Sequence, residues 1–294
     1  MQQNSHMEPL YHYCSAASFH GIVSNASIWL SAMTQSNDSL EGKLVLDAMN
    51  RCAQRDKLGQ SETDRILWAM RQIEQVVDAM AICMSTASDL LSQWRGYAQD
   101  GTGFAIGFRS DYIRGLTSPE ASPERDYFLH LGNVLYSEAE HIDVVENAYQ
   151  ALRLAANTSD INPGIDQILR TLQDPKGISD DYLRAAKAVF SQFVADAREG
   201  LAQWFFLKPP AFVEEREVRL MAVVSHPLPK SVSFRLRGAE LVPYRSLPLD
   251  QDQTPIAKVM LGPKNPTPER VVEAMLRNAG FGEVVVQRSA ASYR

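Results

Sequence analysis

The chain has 294 residues, 45% of them hydrophobic and 22% charged, with a formal net charge of −6. That length suits one large domain or two small ones with a sizeable core, and the acidic balance disfavours a general nucleic-acid binder. Three widely spaced cysteines, Cys14, Cys52 and Cys83, with no C-x-x-C, fit a reducing cytoplasm and argue against a cysteine zinc site.

Residues 208–294 hold 13 Lys/Arg and 9 Asp/Glu, so a net +4 sits at the C-terminal end and −10 in the remainder. No apolar run approaches the ~18 residues of a membrane span. The opening residues lack the basic flank and apolar core of a signal peptide. Ser5-His6-Met7 has the form of a cloning remnant, and residues 1–8 are set aside.

In chain order, Leu10–Cys14 reads as a short aromatic strand, and Ser15 as the N-cap of a helix over Ala16–Val23. Ala26–Ser31 is a second strand. A polar loop then leads through the cap residues Asn37, Asp38 and Ser39 into a helix from about Leu40, with Glu41 in its first turn. Ile66, Leu67, Met70, Ile73, Val76, Val77 and Met80 predict a long helix from Ser61, followed by a buried strand over Ala81–Ser85. Ser88–Ala98 reads as an amphipathic helix or turn and Thr102–Phe108 as a strand. Residues 110–130 read as loop, and Gly132–Tyr136 as a strand.

Ser137–Leu207 is mainly helical, and its last helix carries an apolar stripe from Tyr182 to Phe205. Glu215–Val224, Val232–Leu236, Leu241–Tyr244 and Ile256–Leu261 alternate as strands. Asn265 or Thr267 is expected to cap a helix over Glu269–Asn278 that Gly280 ends, and Gly282–Gln287 closes the chain as a strand. The expected architecture is α+β: a single domain over 9–294, with a mixed or antiparallel sheet and a helical insertion near 137–207.

Phosphate-loop, dinucleotide-loop, nucleophile-elbow and zinc-protease motifs are absent, and the six histidines show no ligand spacing, so no metal site is expected. Four polar features remain. His12 and Ser15 end the first strand. Asn37, Asp38 and Glu41 open a helix. Arg95 and Tyr97 precede the Thr102–Phe108 strand. Glu215, Glu217 and Arg219 recur at period two and should share one strand face, leaving Glu214 and Arg216 on the other. Taken singly, each has an ordinary structural explanation: a hydrogen-bonded core histidine, a helix cap, a surface arginine, a charged edge strand.

Together, the blocks resemble a known family. Leu10-Tyr-His-Tyr-x-Ser15, Trp29-Leu-Ser31 and Asn37-Asp-Ser-x-Glu41 resemble the opening of the bacterial domain-of-unknown-function family 2971 (DUF2971). Leu90-Leu-Ser-Gln-Trp-Arg-Gly-Tyr-Ala98 with Gly103–Phe108, then Phe212-x-x-Glu215-x-Glu217-x-Arg219, resemble its middle blocks. Ile256 to Gly262-Pro263 and Ser289-x-x-x-Tyr293-Arg294 resemble its end. Cys14, Ser39 and Val218 depart from residues common in the family (Thr, Pro and Trp).

The opening is also similar to that of ADP-ribosyltransferase-like proteins. That resemblance implies an enzyme that cleaves NAD, its substrate, at the nicotinamide–ribose bond and transfers ADP-ribose to a protein or nucleic-acid acceptor, as in a bacterial toxin or anti-phage defence. Its implied catalytic carboxylates are Glu217 first and Glu215 second. His12, Ser15, Arg95 (on the diphosphate) and Tyr97 (on the nicotinamide) would bind NAD, and Arg219 would support a carboxylate. The Asn37, Asp38 and Glu41 loop would cover the site or select the acceptor. Two other readings stay open: a non-catalytic nucleotide- or partner-binding module, and a metal-dependent nuclease-like site built on Glu215, Glu217 and Asp38.

Overall fold

The computed structural model describes residues 8–33, 41–118, 127–157, 176–177, 179–181, 184, 198–226 and 228–292. In order, the elements are β1 (Leu10–Cys14), α1 (Ala16–Asn25), β2 (Ser27–Ala32), α2 (Glu41–Arg55), α3 (Gln60–Val76), β3 (Val77–Ser85), α4 (Leu91–Gly96), β4 (Phe104–Phe108), α5 (Ser110–Gly115) and β5 (His130–Asn133). They continue with α6 (Glu138–Asn157), α7 (Arg198–Trp204), β6 (Glu217–Ser225), β7 (Ser233–Arg237), β8 (Glu240–Pro248), β9 (Ile256–Leu261), α8 (Glu269–Asn278) and β10 (Val285–Arg288).

The ten strands form one mixed, mostly antiparallel sheet in the order β10-β9-β4-β1-β3-β2-β8-β7, with β6 on β3 and β5 on β6. Among the described strands, only the β9/β10 pair is parallel. The architecture is thus a mixture of helix and mixed sheet, as the alternating segments predict. The described parts of 137–207 are largely helical, whereas much of the Tyr182–Phe205 stripe lies outside the described residues. Of that stripe, Leu201 and Trp204 are buried against α2, α3 and α6.

β3 is the hub of the sheet. It runs buried over nearly its whole length because apolar residues cover both of its faces. Met80, Ile82 and Met84 join the main core, while Ala79 and Ala81 pack with Met221 and Phe206 on the other side. β6 pairs with one edge of β3 from Val77 to Ser85 without a break.

The opposite edge of β3 is shared. β1 meets it at Ser85 and β2 meets it at Met80 and Ala81, so the two strands peel away from opposite ends. Ile82–Met84 lie in the fork between them. Both strands are antiparallel to β3, hence parallel to each other, and α1 connects them across the opening. Ser15 caps α1 as expected, its hydroxyl accepting from Ser18 N–H at 3.0 Å.

Several boundaries differ from the sequence reading, and β5 runs over His130–Asn133 rather than Gly132–Tyr136. The stripe from Val77 through Met80 is not helix, for α3 stops at Val76 and the β-branched Val77 begins β3. A continuous apolar run reads equally well as buried helix or buried strand. Residues 110–115 form a short helix rather than loop, with Tyr112 and Ile113 buried. Glu215 is not on the strand: Pro210–Glu215 is a 3-10 turn, and β6 begins at Glu217. Neither Asn265 nor Thr267 caps α8. Pro268 holds that position, and Asn265 instead donates to the carbonyls of Thr102 and Gly103 at 2.8 and 3.0 Å.

Those Asn265 bonds brace a close backbone crossing. Gly262 N–H donates to the Gly103 carbonyl at 3.0 Å, and a Cβ on Gly103 would stand 2.2 Å from the Cys14 carbonyl oxygen. Gly103→Ala must therefore push β4 away from the end of β1. It is expected to lower stability by about 1–3 kcal/mol, read as a lower midpoint of urea unfolding; an unchanged midpoint contradicts this packing.

Candidate functional site

A cavity of about 710 Å³ opens in the fork, within the usual range for small-molecule sites. Its walls come from the end of β1, the inner side of α1, β2, the Ala81–Met84 stretch of β3, the Lys208–Arg219 segment and β7.

The ionic wall is built by a chain reversal. Leu207 bridges Leu135, and Lys208 N–H donates to the Leu135 carbonyl at 3.0 Å, which fixes the lysine backbone. Pro209 and Pro210 then start the 3-10 turn, proline being preset for such an entry. Arg216 takes a left-handed conformation (φ 47°) and redirects the chain into β6. The turn brings Glu215 back onto the lysine that precedes it by seven residues.

Lys208 Nζ donates to Glu215 Oε2 at 2.6 Å and to Glu217 Oε2 at 2.8 Å. Arg219 Nε donates to Glu217 Oε1 at 2.7 Å, and Arg219 also donates to the Phe205 carbonyl. All four side chains are buried. Strand alternation does put Glu217 and Arg219 on one face, as predicted. Glu215 joins them through the turn, not through alternation, and Glu214 and Arg216 are exposed as expected.

Burial pushes the Glu217 carboxyl up, but the Arg219 guanidinium and Lys208 ammonium outweigh it and hold its pKa at about 2. Burial pulls Lys208 down, yet the two glutamates raise it well above its usual range. Glu217 and Lys208 are thus both ionised near neutral pH, within a wall of two carboxylate and two cationic side chains.

The two carboxylates differ in what remains free to act. Glu217 faces cations with both oxygens. Glu215 meets Lys208 with Oε2 only, and its Oε1 accepts a long 3.4 Å bond from the Tyr97 hydroxyl. Burial raises the Tyr97 phenol to about 12, so it stays a donor. Ser85 anchors this corner by donating to the Glu215 carbonyl at 2.7 Å.

His12 also lines the cavity. Its Nδ1 donates to the Cys83 carbonyl at 2.8 Å, in the stretch of β3 left open by the fork, so the neutral ring presents Nε2 as an acceptor. Burial lowers its pKa, against the raising effect of that bond, which keeps it neutral.

The structure therefore brings His12, Ser15, Tyr97, Glu215, Glu217 and Arg219 to one cavity. Arg95 is not among its lining residues and is exposed on α4, because the helix turns Gln93 inward instead. Asn37 and Asp38 lie outside the described residues, and Glu41 opens α2. Sequence reasoning gave no role to Lys208, Cys83, Arg235 or Arg237, all of which line the cavity. A lysine ahead of Pro-Pro looks like linker. The Arg235/Arg237 pair does carry a signal, a cationic row at period two.

Residues 93–220 match the family model described as Protein of unknown function (DUF2971). The chain carries a DUF2971 region. No curated protein and no solved structure matches the chain. The DUF2971 match runs from α4 into β6. It takes in the Gln93–Phe108 and Phe212–Arg219 blocks, and with them Tyr97, Lys208, Glu215, Glu217 and Arg219. No helix of the described residues is long and apolar enough to cross a membrane.

Lys208→Met leaves two buried carboxylates with one cation, and a loss of about 3–5 kcal/mol is expected from urea unfolding at neutral pH. The pH profile gives a second readout. Glu217 ionises more readily folded than unfolded, so its contribution is full above its ordinary value of 4.5 and fades as pH falls toward about 2. Lys208 is raised, so its contribution holds below 10.5 and is lost only at higher pH. The natural chain should keep a plateau between those limits. Lys208→Met should flatten the acid limb, and an unaltered acid limb contradicts the coupling.

Proposed function

We propose that the fork cavity is an NAD-cleaving site of ADP-ribosyltransferase-like type, which breaks the nicotinamide–ribose bond and passes ADP-ribose to a nucleophilic acceptor. The observation that carries the reading is the convergence of His12, Ser15, Tyr97 and the Glu215/Glu217 pair on one cavity, although their sequence positions span more than two hundred residues.

The chemistry suits the geometry. As the C–N bond breaks, nicotinamide leaves as a neutral molecule with the bonding pair, and positive charge develops on the ribose. A carboxylate held in a poorly solvated wall stabilises that charge without reorganising. Glu215 fits this task better than Glu217, reversing the order expected from the sequence. Its Oε1 is held only by a long bond from Tyr97, whereas Glu217 is tied to Arg219 and Lys208 and acts by positioning that lysine. His12 Nε2 would accept from a ribose hydroxyl, Ser15 would hold the nicotinamide-side ribose, and the half-exposed Tyr97 ring would stack on nicotinamide. The acceptor bonds to the ribose carbon and gives up its proton, for which Glu215 Oε1 would serve as base. Arg95 has no part in this arrangement. The setting proposed with the activity is a bacterial toxin or anti-phage enzyme.

The Lys208 contacts favour a second reading, a nucleotide-binding module without turnover, since a balanced wall also serves recognition alone. They weaken the metal-dependent reading, because three of the four Glu215 and Glu217 carboxylate oxygens already face cations. Among the described residues, no three His, Cys, Asp or Glu side chains gather as ligands.

The test is release of free nicotinamide from NAD by the purified protein. Glu215→Gln should cut it by about 100-fold or more; because it also breaks the buried pair with Lys208, release is compared at a temperature where the unfolding midpoint shows the variant folded. Undiminished release in Glu215→Gln overturns the assignment. No release from the natural chain, together with a thermal shift by NAD, favours the binding module.

A further inference from the structure

The same cavity carries a second polar feature, on β7, that the carboxylate wall does not use. On β7, Ser233, Arg235 and Arg237 share one face, and Phe234 and Leu236 the other. The usual arrangement is inverted. Phe234 and Leu236 are 58% and 72% exposed, while the two guanidinium side chains line the cavity.

Arg235 lies over the Trp29 ring, its guanidinium carbon 5.8 Å from the centroid, and Trp29 is backed by Tyr244 at 4.4 Å. Arg235 Nη2 donates to the Ser31 hydroxyl at 3.3 Å. Its Nε is buried without a hydrogen-bond partner. Burial, then the neighbouring Arg237, lower its pKa from the usual arginine value, the signature of like charges brought together away from water. Arg237 is partly neutralised by Glu240, whose Oε2 accepts from Nη2 at 2.7 Å.

A buried guanidinium donor with no acceptor costs free energy unless something supplies one. Within the cavity, Lys208 and Arg219 already balance Glu215 and Glu217, so the β7 arginines leave an excess of positive charge. Two planar guanidinium forks, one strand repeat apart, match an anion with several oxygens spread over two centres. The Ser27 and Ser31 hydroxyls of β2 stand along the same lining as further donors.

We infer that Arg235 and Arg237, with Trp29 as floor, form a diphosphate subsite for a nucleotide bound in the fork. The inference deepens the NAD reading by replacing Arg95 as the diphosphate contact. It takes the identity of the ligand from that reading, but it requires binding only and no bond cleavage. One cavity then has a charge-balanced wall that presents the carboxylates to the sugar and a cationic part for the phosphates.

The experiment is calorimetric titration of the whole chain with ADP-ribose, inorganic pyrophosphate and, as a neutral control, adenosine. Arg235→Gln should weaken ADP-ribose and pyrophosphate by about tenfold or more. Arg235→Lys should fall between, because it keeps the charge and loses the fork. Lys264→Gln, an exposed cation paired with Asp100 elsewhere on the surface, should change nothing. The unfolding midpoint without ligand checks each variant. If Arg235→Gln lowers it, Arg237→Gln on the more open side carries the same comparison. Equal ADP-ribose affinity in the natural chain and the arginine variants overturns the subsite, as does absence of binding by both phosphate probes. Phosphate binding that depends on Arg235, in a protein that releases no nicotinamide, upholds the subsite and overturns the cleavage reading alone.

Discussion

Lys208 stands between two buried carboxylates, and the local chain path follows from keeping it there. Each of these charges is expensive to bury alone. Glu215 and Glu217 would repel one another without the ammonium, and without them burial would pull the Lys208 pKa down. Arg219 completes the balance at Glu217 and is itself pinned to the end of α7 through the Phe205 carbonyl. The bridge at Leu207, the Pro209-Pro210 entry, the 3-10 turn and the left-handed Arg216 are the means by which a short stretch of chain folds back on its own lysine.

That wall matters because of where the sheet puts it. β6 takes one whole edge of β3, while β1 and β2 divide the other and separate at Ile82–Met84. A continuous sheet would leave no room at this point. The fork leaves a cavity, His12 reaches across to bond the Cys83 carbonyl inside it, and α1 spans its mouth. Arg235 and Arg237 of β7 line the same space, Arg235 lying against Trp29 and Ser31 of β2.

Much of the frame is legible in the sequence because local pattern governs it. The aromatic β1, the Ser15 cap, the apolar β4 and β9 and the terminal Gly280 all follow from alternation or capping. So does the contact between Glu217 and Arg219, two residues apart on one strand. The family blocks around Gln93–Phe108 and Phe212–Arg219 fall inside the matched 93–220 segment. The Leu10–Glu41 and Ile256–Arg294 blocks lie outside it. What was not legible depends on long-range packing or on one unusual dihedral. Val77 leaves the helix because β3 needs it. Glu215 reaches the site because Arg216 adopts a positive φ. Lys208 is buried because residues on both sides of it fold over it, which nothing in the string Leu207-Lys-Pro-Pro announces. Arg235 and Arg237 do show period-two spacing, but an apolar row at Phe234 and Leu236 suggests that the arginines face solvent, and the cavity reverses that.

The central claim is that the fork holds a dinucleotide with its two ends distinguished. The most direct measurement is a crystal structure of the protein with an NAD analogue whose nicotinamide–ribose bond cannot be cleaved. The account predicts the ligand in the fork, its nicotinamide-side ribose against His12 and Glu215 and its diphosphate within hydrogen-bond distance of Arg235 or Arg237. Density for the analogue outside the fork, or a fork that stays free of it at saturating concentration, would contradict the account.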